Sequence, residues 1–515
     1  MKKTPLRLSI HGLATTIILT GSMAHAQDYA SALTQFANDA STALNNGSAS
    51  PLPSNSYSYE NYAESTTLND PPVFLSPTAN YSAMAYTDCS GWVNYALNTV
   101  SPLHQSVIAG QRLLSEYNKS YGTGTHHKTL SESDLGWSRA FVISEYFDSG
   151  YAANTGFTPV TDFSNLQPGD VVAYSTGRWT DPSNSSLTWT GDTGHTFIIV
   201  GTPQVIDPSH ADYYGKPGGS PTLDTSKVHQ VIAVEIVDSS DITHFSPDNR
   251  KNDSNAYELP AYKPEGVPES ELHAGGIGTG TIWLSLDAEG KVLQTRFNYG
   301  DDYLPNTGNP EVKVTAAARL NDTIELSDDI TQDGYLEVRR FENAPDSFAG
   351  QNYGDMPVNL TGDGGLRITG EGPITLSGDN SFTGGVIVES GMLVIGSTTG
   401  LGAGDLSVQG GKVSLIGPAL HDEGLLHLVE SLDPGSFELN FLGEDILRTL
   451  QIGDDTFTTG TWGAAGSGAD NIHAVFSGTG VINLVPEPSH YAGLAGAIAL
   501  LFALRRRQRA GPSAK

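Results

Sequence analysis

"YTDCSGWVNYAL", Tyr86 to Leu97, contains the only cysteine of a 515-residue chain. Asp88 precedes the thiol, and Val93, Leu97 and their neighbours follow at helical spacing. An aspartate in that position caps a helix by accepting a hydrogen bond from the first-turn amides. Cys89 then sits on the first turn, where orphan N–H groups and the helix dipole stabilise a thiolate. Gly91 lets a second segment approach closely. The competing reading is a small buried apolar residue, the common fate of a lone cysteine.

Two downstream stretches weigh towards chemistry. "LQPGDVVAY" (Leu166–Tyr174) is a turn leading into a strand, and "TGHTFIIVG" (Thr193–Gly201) puts His195 at the head of an apolar strand. A histidine held there by a rigid element faces the helix end, which is the placement a general base needs to take a thiol proton. Taken alone, His195 reads more readily as a satisfied structural histidine than as a base. The ordered trio of segments is a much rarer coincidence.

Asp88-Cys89-Ser90-Gly91-Trp92-Val93, Pro168-Gly169-Asp170 and Gly194-His195 together resemble the NlpC/P60 family of papain-like cysteine hydrolases, over roughly residues 80–245 with an extension to 300. The resemblance implies an α+β papain-like domain with Cys89 as nucleophile and His195 as its base. It also implies that the Cys89 amide contributes to an oxyanion hole, and that the substrate is an amide, above all a peptidoglycan stem peptide. The family further implies a polar residue, on the strand after the histidine strand, that orients the imidazole. Asp238, closing the apolar run "VIAVEIVDSS", is preferred for that role over Asp207, which Pro208 and a loop-like stretch through Gly219 follow. The family's glycine pair upstream of the cysteine is replaced by "NYSAMAYT", with Tyr81 or Tyr86 in the tyrosine position. "THFSPDNR" (Thr243–Arg250) and "GGIGTGTIW" (Gly275–Trp283) resemble extensions found in a subgroup of these hydrolases and receive no role. No metal or cofactor is expected: His126-His127 lies in a Gly/Thr loop with no third ligand at metal spacing.

The ends of the chain read as addresses. Lys2, Lys3 and Arg7, an apolar run through Leu13–Leu19 and Ala24-His25-Ala26 form a signal peptide, residues 1–26. At the other end, Val485-Pro486-Glu487-Pro488-Ser489, the apolar Tyr491–Leu504 and Arg505, Arg506, Arg507 and Arg509 resemble the PEP-CTERM sorting signal, residues 485–515. That resemblance implies processing by an exosortase-type enzyme and display at the cell envelope or in an extracellular polysaccharide matrix. Net charge is −30, and losing three positive charges with the signal and five with the tail takes it to about −38. A chain so acidic does not bind nucleic acid by neutralising phosphates.

Between the ends, residues 27–75 read as an N-terminal extension with a weak helix at Tyr29–Asn46 and a Ser/Pro linker. Residues 76–300 read as the α+β domain, helices first and strands after. Residues 301–484 read as all-β. Within them, Leu376-Ser377-Gly378, Asn380, Phe382, Gly384-Gly385, Val388, Gly391 and Leu393 resemble the autotransporter-associated β-strand repeat, which implies rungs of parallel β-helix. Stacked rungs need neighbours, so residues 301–360 and 397–484 are expected to supply atypical ones, a separate β-sandwich being the alternative. Two functions compete on this evidence: an exported cysteine hydrolase, and a surface or matrix structural protein whose hydrolase-like domain binds a ligand without turnover.

Overall fold

Asp88 caps the cysteine helix. In the computed structural model of the chain its backbone is extended, and its Oδ1 accepts from the Gly91 N–H at 2.6 Å and from Ser90 Oγ at 2.9 Å. The helix runs Cys89–Val100 (α2) and ends where Ser101 turns extended and donates its N–H to the Leu97 carbonyl. Every residue of α2 is buried, the mark of an interior helix with no solvent face. The structure describes residues 29–45, 55–58, 73–75, 84–114, 140–148, 152–175, 179–180, 188–189, 194–216, 218–240, 244–246, 248–250, 272–273, 275–298, 303–305, 314–349, 351–353 and 357–485. The signal peptide, His126-His127, Tyr81 and the sorting tail beyond Val485 lie outside them. Among the described residues no helix is long and apolar enough to cross a membrane.

Three further helices surround α2: α1 (Tyr29–Asn45), α3 (Pro102–Leu114) and α4 (Ala140–Asp148). The helix expected at Tyr29–Asn46 is present as Tyr29–Asn45, and its apolar face is part of the core. Leu33, Phe36 and Ala37 of α1 are fully buried, which contributes about 2 kcal/mol for each of the two large side chains. The Phe36 ring stacks on Trp92 of α2 at 6.0 Å and meets Tyr353 edge-on at 5.1 Å.

The helices lie against a sheet whose central path is Leu304–Pro305, Val292–Arg296, Gly276–Leu286, Gln230–Ser240, His195–Ile199, Val171–Ser175, Val314–Leu326 and Asn359–Gly362. Every pair on this path is antiparallel except the last, where Val314–Leu326 runs parallel to Asn359–Gly362. The expected strands are present, and two are longer than their apolar cores suggest. The expected boundary at residue 301 does not coincide with a break in the sheet. Val314–Leu326 pairs with Val171–Ser175, and its Arg319 makes a two-pronged contact with the fully buried Asp170, Nε to Oδ1 at 2.8 Å and Nη2 to Oδ2 at 2.9 Å. Asp170 of the Pro-Gly-Asp motif thus anchors a strand from beyond the boundary.

From Tyr335 onward the chain winds into rungs. One parallel sheet stacks Tyr335–Arg340, Gly365–Gly370, Val386–Val388, Leu406–Val408, Leu425–Leu428 and Thr449–Ile452. A second stacks Pro373–Leu376, Met392–Ile395, Lys412–Leu415, Phe437–Leu439 and Phe476–Gly478. Alternation sends every second side chain inward, so Leu366, Val386, Leu406, Leu426 and Leu450 align in one buried column. Asn380 ties three rungs, accepting from the Leu360 N–H at 2.8 Å and donating to the Gly400 carbonyl at 2.7 Å, each 20 residues away. The rungs are parallel and do not form a sandwich. Past Ile452 the order changes, with Asp455–Phe457 antiparallel to Thr449–Ile452 and Gly460–Gly463 antiparallel to Val481–Leu484.

Candidate active site

The start of α2 packs against the histidine and aspartate strands, where Ser239 Oγ donates to the Thr87 carbonyl at 2.6 Å and fixes the residues just before Cys89. Three of the side chains singled out in the sequence meet here. His195 Nε2 lies 2.6 Å from Asp238 Oδ2. The same imidazole is hydrogen-bonded to the Cys89 thiol, and with Nε2 engaged by Asp238, Nδ1 is the ring nitrogen left for it. Asp207 does not take part. It is solvent-exposed, and its carboxylate accepts from the N–H of Ser209 at 2.8 Å. Between the two carboxylates considered for the third position, Asp238 is the one in contact.

The electrostatics follow from burial and charge. Burial acts to lower the pKa of His195, but the opposing Cys89 charge and the hydrogen bonds to Asp238 and Cys89 override it and raise it to about 10. Such a group is an imidazolium at neutral pH, and its charge favours the thiolate form of the neighbouring cysteine. Asp238 has no exposed side-chain surface. Desolvation would raise its pKa, yet Arg250, His244 and the two imidazole hydrogen bonds hold it well below the usual carboxylate range. The Cys89 residue itself is 5% exposed. Phe297 seals the far side, its ring centre 5.8 Å from each of the two imidazoles, edge-on to that of His195.

His244 and Arg250 are the functional residues that no role was assigned to in the sequence. His244 Nε2 lies 2.8 Å from Asp238 Oδ2, the oxygen that already holds His195. The His244 Nδ1 is buried and has no hydrogen-bond partner among the described residues. The Arg250 guanidinium bonds Asp238 Oδ1 through Nη2. It also donates to the carbonyls of Gly276 at 3.0 Å and Gly278 at 2.8 Å, and to Asp248 Oδ2 at 2.6 Å. Asp248 closes the turn by accepting from the His244 N–H at 2.7 Å.

The glycines of Gly276–Leu286 make this possible. Residues two apart share a strand face, so Gly278 and Gly280 leave a strip of bare backbone. A Cβ at Gly278 would stand 2.3 Å from Arg250 Cγ, and one at Gly280 2.7 Å from His244 Cβ. The alternation Gly-Ile-Gly-Thr-Gly and the motif at residues 243–250 are thus two halves of one device. The signal that could have found it is the pairing of an alternating-glycine strand with a short His/Asp/Arg segment.

His195, Asp238 and His244 have ligand-type atoms within 4.8 Å of one another. Their Nε2–Oδ2 separations of 2.6 and 2.8 Å are direct hydrogen bonds, and Arg250 already supplies the cation that Asp238 needs. The geometry is that of an oriented acid–base group beside a thiol. An open groove of about 680 Å³ between Arg339, Glu371, Ser390 and Lys412 lies on the rungs and contributes no residue to this cluster. No family model, no curated protein and no solved structure matches this chain.

Proposed function

We propose that the chain is an exported cysteine hydrolase that cleaves an amide bond, with peptidoglycan stem peptides as its substrate class. In this reading the α+β part is a papain-like domain of NlpC/P60 type, the rungs are a stalk of autotransporter-associated type, and the basic tail is a PEP-CTERM signal processed by an exosortase-type enzyme at the envelope. The observation that carries it is the chain of contacts from Cys89 through His195 to Asp238, with the thiol on a capped helix start.

Each group has a step. The Cys89 thiolate attacks the amide carbonyl carbon, and the amide N–H of Cys89 at the helix start supports the charge that develops on the carbonyl oxygen. As the C–N bond breaks, the His195 imidazolium gives its proton to the leaving amine. Water then attacks the thioester, passing a proton to His195, and the acid leaves with the thiolate restored. Asp238 keeps the ring in the orientation that serves both transfers.

The test is digestion of purified cell-wall muropeptides, read by mass spectrometry for a new amine and a new carboxylate. Wild type releases them and Cys89→Ala does not; identical product patterns overturn the reading. A second reading, ligand capture without turnover in a matrix protein, is favoured by the burial of Cys89. It requires that wall fragments bind while a thiol electrophile leaves Cys89 unlabelled.

A further inference from the structure

Among cysteine-centred sites, one feature of this cluster calls for its own account: a carboxylate whose two oxygens are both taken. Asp238 Oδ2 holds two imidazoles, and Oδ1 holds a guanidinium. We infer that Arg250 is a positioning residue that keeps Asp238 a fixed, ionised acceptor, so that the proton taken from Cys89 stays on His195 and never moves on to the carboxylate. This inference rests on the hydrolase reading above.

Among the described residues, the charged and titratable groups in contact with Asp238 are His195 on the neighbouring strand and His244 and Arg250 on the following segment; Asp248 braces Arg250, and Cys89 meets the His195 ring. The strand on the other side, Gly276–Leu286, offers only glycine and backbone carbonyls at this point. Arg250 is therefore the permanent cation of the cluster. A buried carboxylate without a cation takes up a proton, because desolvation penalises its charged form. A protonated Asp238 could not support an imidazolium at His195.

The guanidinium is held independently of Asp238. Nε goes to Gly276 O, Nη2 to Gly278 O, and Nη1 to Asp248, whose charge Arg250 also balances. This set, with the bond to Asp238 Oδ1, uses donors on all three guanidinium nitrogens in one plane, and a lysine ammonium offers three on a flexible stem. The strip of bare backbone at Gly278 exists where the Arg250 side chain crosses it. The site therefore fixes the arginine first and the carboxylate through it.

The experiment measures the rate of Cys89 alkylation by iodoacetamide between pH 4 and 10 in the full chain, with folding checked by thermal melting. It needs no substrate. Wild type is expected to show no inflection between pH 5 and 8. Arg250→Met introduces one there as Asp238 becomes titratable, with the rate at pH 5 down about tenfold from its plateau. Arg250→Lys restores the acid-side rate in part. Gly278→Ala retains the cation but displaces it, and shows the same new inflection; it decides the matter if Arg250→Met does not fold. Folded Arg250→Met or Gly278→Ala protein with the wild-type profile overturns the inference. If wild type itself alkylates like a free thiol, the hydrolase reading falls, and this inference with it.

Discussion

The side-chain oxygen of Asn98 accepts a hydrogen bond from the backbone N–H of Phe341 at 2.7 Å, across 243 residues of sequence. The same side chain donates to the Arg339 carbonyl at 2.8 Å. One turn earlier, the Tyr95 hydroxyl donates to Asn343 O at 2.9 Å. The helix that presents Cys89 at one end is thus bonded along its length to the first rung.

Asn98→Ala leaves a buried N–H and a buried carbonyl unpaired. It is expected to cost about 2–4 kcal/mol of stability, and in a denaturation experiment monitored by tryptophan fluorescence both halves should lose stability together. A transition in which the rungs remain unaffected would contradict the bonding described.

His104 predicts acid lability. Its Nε2 donates to Asn321 O at 2.8 Å, which leaves Nδ1 to accept from Ser101 Oγ at 2.7 Å. Complete burial lowers its pKa from 6.5 to about 4. The folded chain therefore binds this proton less readily than the unfolded one. The contribution is present in full above pH 6.5 and is lost as the pH falls towards 4, with an upper limit of about 3 kcal/mol. Urea titrations at pH 7 and pH 4.5 should show that loss, and His104→Gln should flatten it.

His195 predicts a reactive thiol at low pH. With the imidazolium persisting to about pH 10, Cys89 has a positive partner across the neutral range, which favours its reactive thiolate form. Alkylation at pH 6 should fall at least tenfold in His195→Ala and converge with wild type above about pH 9. Equal rates at pH 6 would remove His195 from the role of base.

Asp445 predicts a gain. Its Oδ2 accepts from the Ala419 and Leu420 N–H groups at 2.9 and 3.0 Å, yet burial raises its pKa to about 6. The folded chain holds this proton more tightly than the unfolded one. Stability from this group is complete below about pH 4 and lost as the pH rises through 6. Asp445→Asn retains an acceptor without the charge, and should match wild type at pH 4 and exceed it by about 2 kcal/mol at pH 8. Thermal melts at the two pH values provide the check.

What the sequence made legible was local. Asp88 before Cys89 is a capping pattern, and His195 and Asp238 stand at the two ends of apolar runs that can only be strands. Their mutual contact follows once those runs pair. His244 and Arg250 were not legible, because their meaning depends on which strand lies beneath them, and the Gly276–Gly280 half of that strand carries no apolar run to announce it. Residues 314–326 alternate just as the rungs do, so nothing local distinguishes a strand of the first sheet from a rung of the solenoid. The repeat showed one clear copy because a buried column accepts Leu, Val, Ile or Phe alike, and only Asn380 and the turn glycines are demanded by geometry.

The shared wall between α2 and the first rungs has a consequence for how such a protein can change in length. Among the described residues, the strands from Val386–Val388 to Phe437–Leu439 pair only with other strands of the rungs, so adding or deleting a rung there leaves the thiol's surroundings alone. The rungs before them are foundations. A stalk on this plan can change in length only beyond those foundations.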